Sequence, residues 1–558
     1  MSKISLKKAR VVLLGLDGAT FDLLLPWIKQ GKLPHMEKLL KDGVNAELES
    51  TIPCTTPVAW STVFTGKNPG KHGIFDFRES FHRNPGRPLI SLNSIRATRL
   101  WKMLNATGKK AILLNVPLTF PPEPLDGIMV SGMMTPSEKS KFTYPSEIKG
   151  ELLARFPDYT VDIDIPKYDT QFLKDGLEFL GDVEKSFKAR KDAFFYFLNE
   201  KPWDFLFAVF ILSDRIQHLF WKYIDPKDNE FRQTEHGQQL HNRILALYQM
   251  QDEMIGEIAS TLQEYDSLFI ISDHGFGGTE AYINVNTLLE KWGYLKLKPK
   301  AFGKRVFFKI WEIGESNFAK KLIPDSIQRQ VRSRIRKTRS SFKSDLEELI
   351  DYDNTKAIFA SIPCQGIYIN ATLSDGTSMP AEEYGRLRDE LKHKLLELID
   401  DKTGEKIMDA VYYREELYSG PYVKWAPDIV FIARNYAYLG RHHIGAPSSI
   451  SDYRAFPNGF HRPQGIFIAC GNGIKTNVRL ERFHLQDIAP TILYSLGNPI
   501  PSDMDGRVLE DIYTSEYLSD HPILSTDESD SHSESEIVYS QNEAEEIQRR
   551  LRSLGYIE

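Results

Sequence analysis

Only three cysteines, Cys54, Cys364 and Cys470, occur in 558 residues. They are too few and too scattered for a disulfide framework or a thiolate metal knuckle, which points to a reducing compartment, with the cytoplasm as the expected location. Long apolar runs are missing too. None approaches the roughly 20 residues needed to cross a bilayer, which excludes a membrane-embedded transferase. Lys3, Lys7, Lys8 and Arg10 precede an apolar stretch in the manner of a signal peptide, but Asp17 interrupts that stretch within about six residues, so a first strand fits better. Strong charge imbalance is also absent. A formal net charge of -6 gives no reason to expect a polyanionic partner or specific nucleic-acid binding.

What is present is ordinary globular material, with 41% hydrophobic and 26% charged residues, ample for a large core. Apolar runs at Val11–Leu16, Ala111–Val116, Phe205–Leu212, Leu268–Ile271, Asp428–Ala433 and Ile466–Cys470 lack strict alternation. Strands buried on both faces read this way, and all six are expected in one central sheet. Helical patterns at Phe187–Asn199, Leu240–Tyr265 and Tyr384–Ile399 intervene, giving an α/β fold with a mostly parallel sheet flanked by helices. Ligands of such sheets bind beyond the carboxyl ends of strands, where Asp17, Asp214 and Asp273 fall.

The chemistry-bearing residues span Asp17 to His461, so one catalytic domain with insertions is expected rather than a string of modules. Residues 1–297 form its first part and 346–520 its second. Between them, 298–345 is expected to be a basic helical lid. From Lys298 to Lys343 there are fourteen Lys or Arg against three acids, a pattern that suits either an anionic substrate or a solvated helix face. An acidic, Ser-rich stretch over 521–542 reads as a disordered linker, and 543–558 returns to helix periodicity.

Asp214 and His218 are four residues apart, so a helix starting at the strand end would turn both toward one ion. That spacing also arises from an Asp N-cap beside a half-buried His. Asp273-His274-Gly275 after an apolar strand is a stronger sign, since both side chains can serve a metal and Gly permits close backbone approach, although these residues also favour a turn. Thr56 is the candidate nucleophile. A hydroxyl of high pKa becomes an alkoxide only beside a strong base or a metal; no His flanks it closely, so metal activation is the economical reading, with Asp17 opposite. Thr55 and Thr56 also read as N-caps of a helix beginning near Val58, a role compatible with catalysis.

These residues resemble, in order, the alkaline phosphatase superfamily, most closely its type I phosphodiesterase/nucleotide pyrophosphatase branch. The resemblance is carried by Leu16-Asp17-Gly18, Thr56-Pro57 with Ala59-Trp60 and Thr65-Gly66, and Asn68-Pro69-Gly70 with His72-Gly73-Ile74. It continues through Asp214 with His218, Asp273-His274-Gly275, Gly459-Phe460-His461, Asp487-Ile488-Ala489-Pro490-Thr491 and Asp503-Met504-Asp505-Gly506. It covers about Arg10 to Tyr513 and implies an alkaline phosphatase-like fold with inserted cap segments. It also implies that Asp214, His218 and His461 hold one divalent ion and that Asp17, Asp273 and His274 hold the other, with Thr56 bridging toward it. Zinc is the expected ion and manganese the alternative. Hydrolysis of a phosphodiester or nucleotide pyrophosphate would run through a phosphothreonine on Thr56, chosen over Thr55 by its spacing to Thr65-Gly66. The partner is then a phosphorylated small molecule or nucleotide.

Val58 stands where many relatives have a second Pro, so the wall beside the nucleophile differs. Cys54 is followed by Thr55-Thr56-Pro57 and lacks the Arg of the sulfatase setting, and Thr56 argues against the Ser-dependent phosphoglycerate mutases. Phosphonate or sulfate ester hydrolysis, phosphotransfer, and a degenerate binding protein are the alternatives; a decayed enzyme should lack one of the seven site residues, and none is missing. His72 is expected to fix the turn after the nucleophile helix, against a supporting or phosphate contact; His442 and His443 read as a surface loop or a substrate contact; and Lys67, Lys71, Arg215 and Arg462 are candidates to neutralise phosphate.

Overall fold

The computed structural model describes residues 9–84, 86–163, 168, 170, 172–227, 230–299, 349–372, 377–452, 458–527 and 538–557. The chain forms two compact units. The first comprises Met1–Gly278, Leu417–Ala426 and Ala455–Leu554, and the second Thr279–Glu416, Pro427–Arg454 and Gly555–Glu558. Strands β1 (Arg10–Leu16), β2 (Val44–Glu49), β3 (Ala111–Val116), β4 (Gly127–Ser131), β5 (Thr143–Tyr144), β6 (Phe205–Phe210), β7 (Asp266–Ile271) and β8 (Gly275–Gly278) belong to the first unit. The second holds β9 (Ala281–Asn284), β10 (Ala357–Phe359), β11 (Gly366–Ile369), β12 (Met408–Tyr413), β13 (Ile429–Ala433), β14 (Tyr438–Arg441) and β15 (Ile450–Asp452). The chain then returns to the first unit with β16 (Gly459–Arg462), β17 (Gln464–Gly471) and β18 (Val478–His484).

The first unit is built on a nine-stranded sheet ordered β18-β2-β17-β7-β1-β6-β3-β4-β5. Within it β17 and β5 run against all the others, so the sheet is mostly parallel, as expected. Its middle strands are the apolar runs. Every residue of β3, β6 and β7 is buried, as is β1 beyond Arg10, because helices cover both faces of a parallel sheet. At the foot of the sheet Arg10 grips Asp266 with two hydrogen bonds, Nε to Oδ1 at 3.0 Å and Nη2 to Oδ2 at 2.7 Å. This pins the β1/β7 register that sets Asp17 beside Asp273.

Five of the six apolar runs lie in this sheet. The sixth, Asp428–Ala433, does not: its strand β13 belongs to a four-stranded antiparallel sheet of the second unit, ordered β10-β11-β13-β12. Burial on both faces writes the same pattern whichever sheet the strand joins. The helices fall at Leu173–Glu200, Glu235–Thr261 and Ala381–Leu396. The second begins five residues before the expected Leu240, where the Thr234 hydroxyl accepts the Gly237 amide at 2.9 Å.

The compact units divide the chain elsewhere than at the expected 297/298 and 345/346 boundaries. The expected lid lies, apart from Lys298 and Pro299, outside the described residues. On either side of it the Lys298 amide donates to the Leu349 carbonyl at 2.8 Å. The linker expected over 521–542 is partly structured: Ser525–Thr526 pairs with Ile500–Pro501, and residues 528–537 lie outside the described set. The final helix runs over Gln541–Ser553 behind a Ser540/Glu543 capping box and buries Ile547 and Leu551.

Candidate metal centre

All seven predicted site residues lie in the first unit. β1 delivers Asp17, and Gly18 turns the chain at φ 71°, where glycine is favoured. β7 delivers Asp273 and His274. Gly275 follows because a Cβ there would lie 2.0 Å from the Gln464 carbonyl. β6 leads into the helix Leu212–Ile224, whose periodicity sets Asp214 and His218 on one face. β17 runs antiparallel to β7, so its amino end meets the carboxyl end of β7, and β16, paired with β8, brings in His461 opposite Phe276. This is why His461 precedes its strand while the acids follow theirs. β2 leads to the helix Thr56–Thr65.

The side chains gather into two buried triads, Asp214 with His218 and His461, and Asp17 with Asp273 and His274; within each, the donor atoms lie within 4.8 Å of one another. Asp214 Oδ1 is 3.2 Å from His218 Nε2 and 3.5 Å from His461 Nε2. His274 Nε2 is 3.3 Å from Asp273 Oδ2 and 3.9 Å from Asp17 Oδ1. Thr56 Oγ1 stands 3.4 Å from His274 Nε2.

Each of the six ligands has its other polar atom taken by the protein. The Nδ1 of His218, His274 and His461 lies on the carbonyl of Gly459 (3.1 Å), Gly275 (3.1 Å) and Cys54 (2.8 Å). A carbonyl only accepts, so Nδ1 carries the proton and the Nε2 lone pair faces inward. Asp17 Oδ2 accepts from the Trp60 indole at 3.0 Å, Asp273 Oδ1 from the Gly18 amide at 3.2 Å, and Asp214 Oδ2 from Arg215. The inward oxygens Asp17 Oδ1 and Asp273 Oδ2 are buried without a hydrogen-bond partner. Orphaned carboxylate oxygens facing unprotonated imidazole nitrogens form a donor set that fits divalent cations taking nitrogen and oxygen.

Electrostatics agree with the geometry. Burial and then the neighbouring Asp214 push the Asp17 carboxyl well above its ordinary range, and burial and then Asp17 do the same to Asp273. A cation held between two such carboxyls would offset both the burial and the mutual repulsion and favour their ionised form. Burial also raises Asp214, but His218, His461 and Arg215 outweigh it and hold that carboxyl well below its usual range. Burial lowers His461 to about 4 and drives His274 well down, keeping both imidazoles in the neutral, ligating form.

Thr55 takes the N-cap position at φ -118° and ψ 141° without a side-chain cap, and the helix starts at Thr56, not near Val58. The capping expected of the two threonines is therefore not seen. Nor are the expected phosphate cations arranged for that task. Lys67 Nζ is buried on Asp503 Oδ2 at 2.6 Å, Lys71 Nζ lies on Asp505 Oδ1 at 2.6 Å, and Arg462 reaches the His461 carbonyl at 3.0 Å. His72 fixes its turn as expected: its Nδ1 accepts the Ile74 amide, its Nε2 lies 3.0 Å from Thr62 Oγ1, and burial lowers it to about 3. His443 is buried in the second unit, not displayed on a surface loop. Sequence reasoning missed Trp60 and left Arg215 unranked; the Trp60-to-Thr56 spacing of one helical turn was the available signal.

The α/β fold and the family match below make the protein a hydrolase of the phosphoester-cleaving kind. Residues 11–454 match the model of the type I phosphodiesterase/nucleotide pyrophosphatase family, and the chain belongs to that family. Among solved structures, phosphonoacetate hydrolase from Sinorhizobium meliloti 1021 in complex with phosphonoformate is similar at a TM-score of 0.51 and 15% identity, covering 89% of this chain and 100% of that one. Murine ectonucleotide pyrophosphatase/phosphodiesterase 5, an inactive form in complex with AMP, gives a TM-score of 0.48 and 13% identity over 91% and 100% of the two chains. A comparison with curated proteins finds no match.

Proposed function

We propose that the protein hydrolyses a phosphodiester or nucleotide pyrophosphate bond, with Thr56 as nucleophile and a divalent ion at each triad, zinc in the first instance and manganese as the alternative. The observation that carries this is the placing of the Thr56 hydroxyl against the inward nitrogen of His274, beside six ligands whose outer atoms are all held. When bound, the two ions supply Lewis acidity to the attacking and leaving oxygens of an in-line displacement.

The chain's own residues do the rest. His274 Nε2 faces the Thr56 oxygen at 3.4 Å, and Asp17, Asp273 and His274 would hold beside it the ion whose charge favours the alkoxide. Thr56 Oγ1 gives up its proton to solvent and bonds to phosphorus as the bond to the leaving oxygen breaks, that oxygen taking a proton from water, which gives a phosphothreonine. Thr56 is the first residue of its helix, so the helix N-terminus faces the charge that develops on the phosphoryl group. Water attacks phosphorus from the opposite side, on the flank of Asp214, His218 and His461, and restores the hydroxyl. Three scattered cysteines, too few for a disulfide framework, support a reducing, cytoplasmic setting.

The test is a panel of bis-p-nitrophenyl phosphate, p-nitrophenyl phosphate, p-nitrophenyl sulfate, a phosphonate and dinucleotides, assayed with added zinc or manganese. Preference for the diester or dinucleotides supports the reading. Preference for the sulfate or phosphonate overturns it in favour of the superfamily alternatives.

A further inference from the structure

The two triads differ in what backs them. Arg215 follows Asp214 in its helix and is only 1% exposed. A guanidinium that deep is tolerated when its donors are matched by carboxylates. Its Nη1 is on Asp214 Oδ2, while Nε and Nη2 grip Asp162 Oδ1 and Oδ2 at 3.2 and 3.0 Å. Asp162 is held in turn. Its Oδ1 accepts the Ile163 amide at 2.8 Å, and Arg550 Nη1, from the helix Gln541–Ser553, stands 3.8 Å from Oδ2. Arg550 is fixed by the carbonyls of Thr135 and Pro136. This chain of contacts takes up Oδ2 of Asp214 and leaves Oδ1 turned toward His218 and His461, and it sets a full positive charge beside the single carboxylate of that triad. The other triad has two carboxylates, and their outer oxygens are held by neutral donors, the Trp60 indole and the Gly18 amide.

We propose that Arg215, clamped by Asp162 and Arg550, is a positioning residue that fixes Asp214 as a one-oxygen ligand and makes the two metal positions unequal. The Asp17–Asp273–His274 position fills first, and the Asp214–His218–His461 position is the weaker, exchangeable one. The inference rests on the two-ion reading of the site. Manganese separates the positions most clearly, because it favours carboxylate oxygen over imidazole.

The experiment titrates the metal-stripped full chain with manganese, read by competition with a chromogenic chelator and by elemental analysis. The expected result is two steps at least about tenfold apart, the tighter lost in Asp273→Asn and the weaker in Asp214→Asn. Arg215→Lys keeps the charge but loses the fork, and should raise the Kd of the weaker step by about 10–100-fold while leaving the tighter step in place. Asp162→Asn, which leaves Arg215 in the chain, should weaken the same step and stands in if the lysine variant does not fold. Two equal steps overturn the inference, as does a loss shared equally by both steps or a change under about twofold in either variant. Failure to bind manganese or zinc at all overturns the two-ion reading itself.

Discussion

His218 and His461 face each other through their Nε2 atoms at 3.2 Å, each with its Nδ1 on a backbone carbonyl. Asp214 Oδ1 lies 3.2 Å from His218 Nε2 and 3.5 Å from His461 Nε2, so three donor atoms converge on a space that a divalent cation would fill by coordination. The purified protein should therefore carry two divalent ions per chain, and chelation should abolish activity and lower the melting temperature. Saturating an ion at 100 times its Kd adds about 2.7 kcal/mol per site. Elemental analysis with a thermal melt checks this; full activity at less than one ion per chain would sink the two-ion mechanism.

Thr56→Ala should remove at least ~10³ of the rate, the scale expected when a covalent nucleophile is deleted. Thr55→Ala should be far milder, because the Thr55 hydroxyl is buried without a hydrogen-bond partner and nothing is broken by its loss. Phosphorylated Thr56 trapped at low pH and found by mass spectrometry would be the positive sign. The reverse pattern of activities would move the nucleophile to Thr55.

Trp60→Phe retains most of the buried ring but deletes the N–H on Asp17 Oδ2. Asp17 is then free to rotate, and metal affinity at its triad should fall about tenfold while the Asp214 triad is unaffected. The metal titration described above resolves the two. Equal weakening at both positions would mean that Trp60 acts only through packing.

Burial lowers His72 from its ordinary 6.5 to about 3, so the folded chain holds it neutral where the unfolded chain protonates it. Its contribution to stability is therefore complete above pH 6.5 and is lost as pH falls toward about 3. The slope reaches up to about 1.4 kcal/mol per pH unit. His72→Gln should be less stable near pH 7.5, since it imperfectly replaces the contacts with Ile74 and Thr62. Its stability should nevertheless fall less steeply between pH 6.5 and 4.5. Parallel urea-midpoint curves for the two proteins would exclude His72 as a source of acid sensitivity.

Asp17, Asp214, Asp273 and His274 were legible because buried parallel strands write uninterrupted apolar runs, and an acid or histidine just past the end of such a run stands out. β2 was hidden because it is half covered: Val44, Ala46 and Leu48 point inward while Asn45, Glu47 and Glu49 meet solvent, and no run forms. Trp60 and Arg215 were not placed for a different reason. Their partners, Asp17 and Asp162, are distant in sequence, and a tryptophan or arginine in a helix gives no local sign of the carboxylate it will hold. The division into two units was equally silent, since the strands of both sheets carry the same apolar residues.

The place of β17 in the sheet bears on how the protein is made. It pairs with β2 on one side and β7 on the other, so the nascent sheet stays open along that seam until residues 464–471 have left the ribosome. His461 is 243 residues beyond His218, some tens of seconds of synthesis at roughly 5–20 residues per second. Until then Asp214 and His218 form an incomplete chelate. The proposed ion position at that triad is therefore complete only once β16 has been made, after most strands of the central sheet.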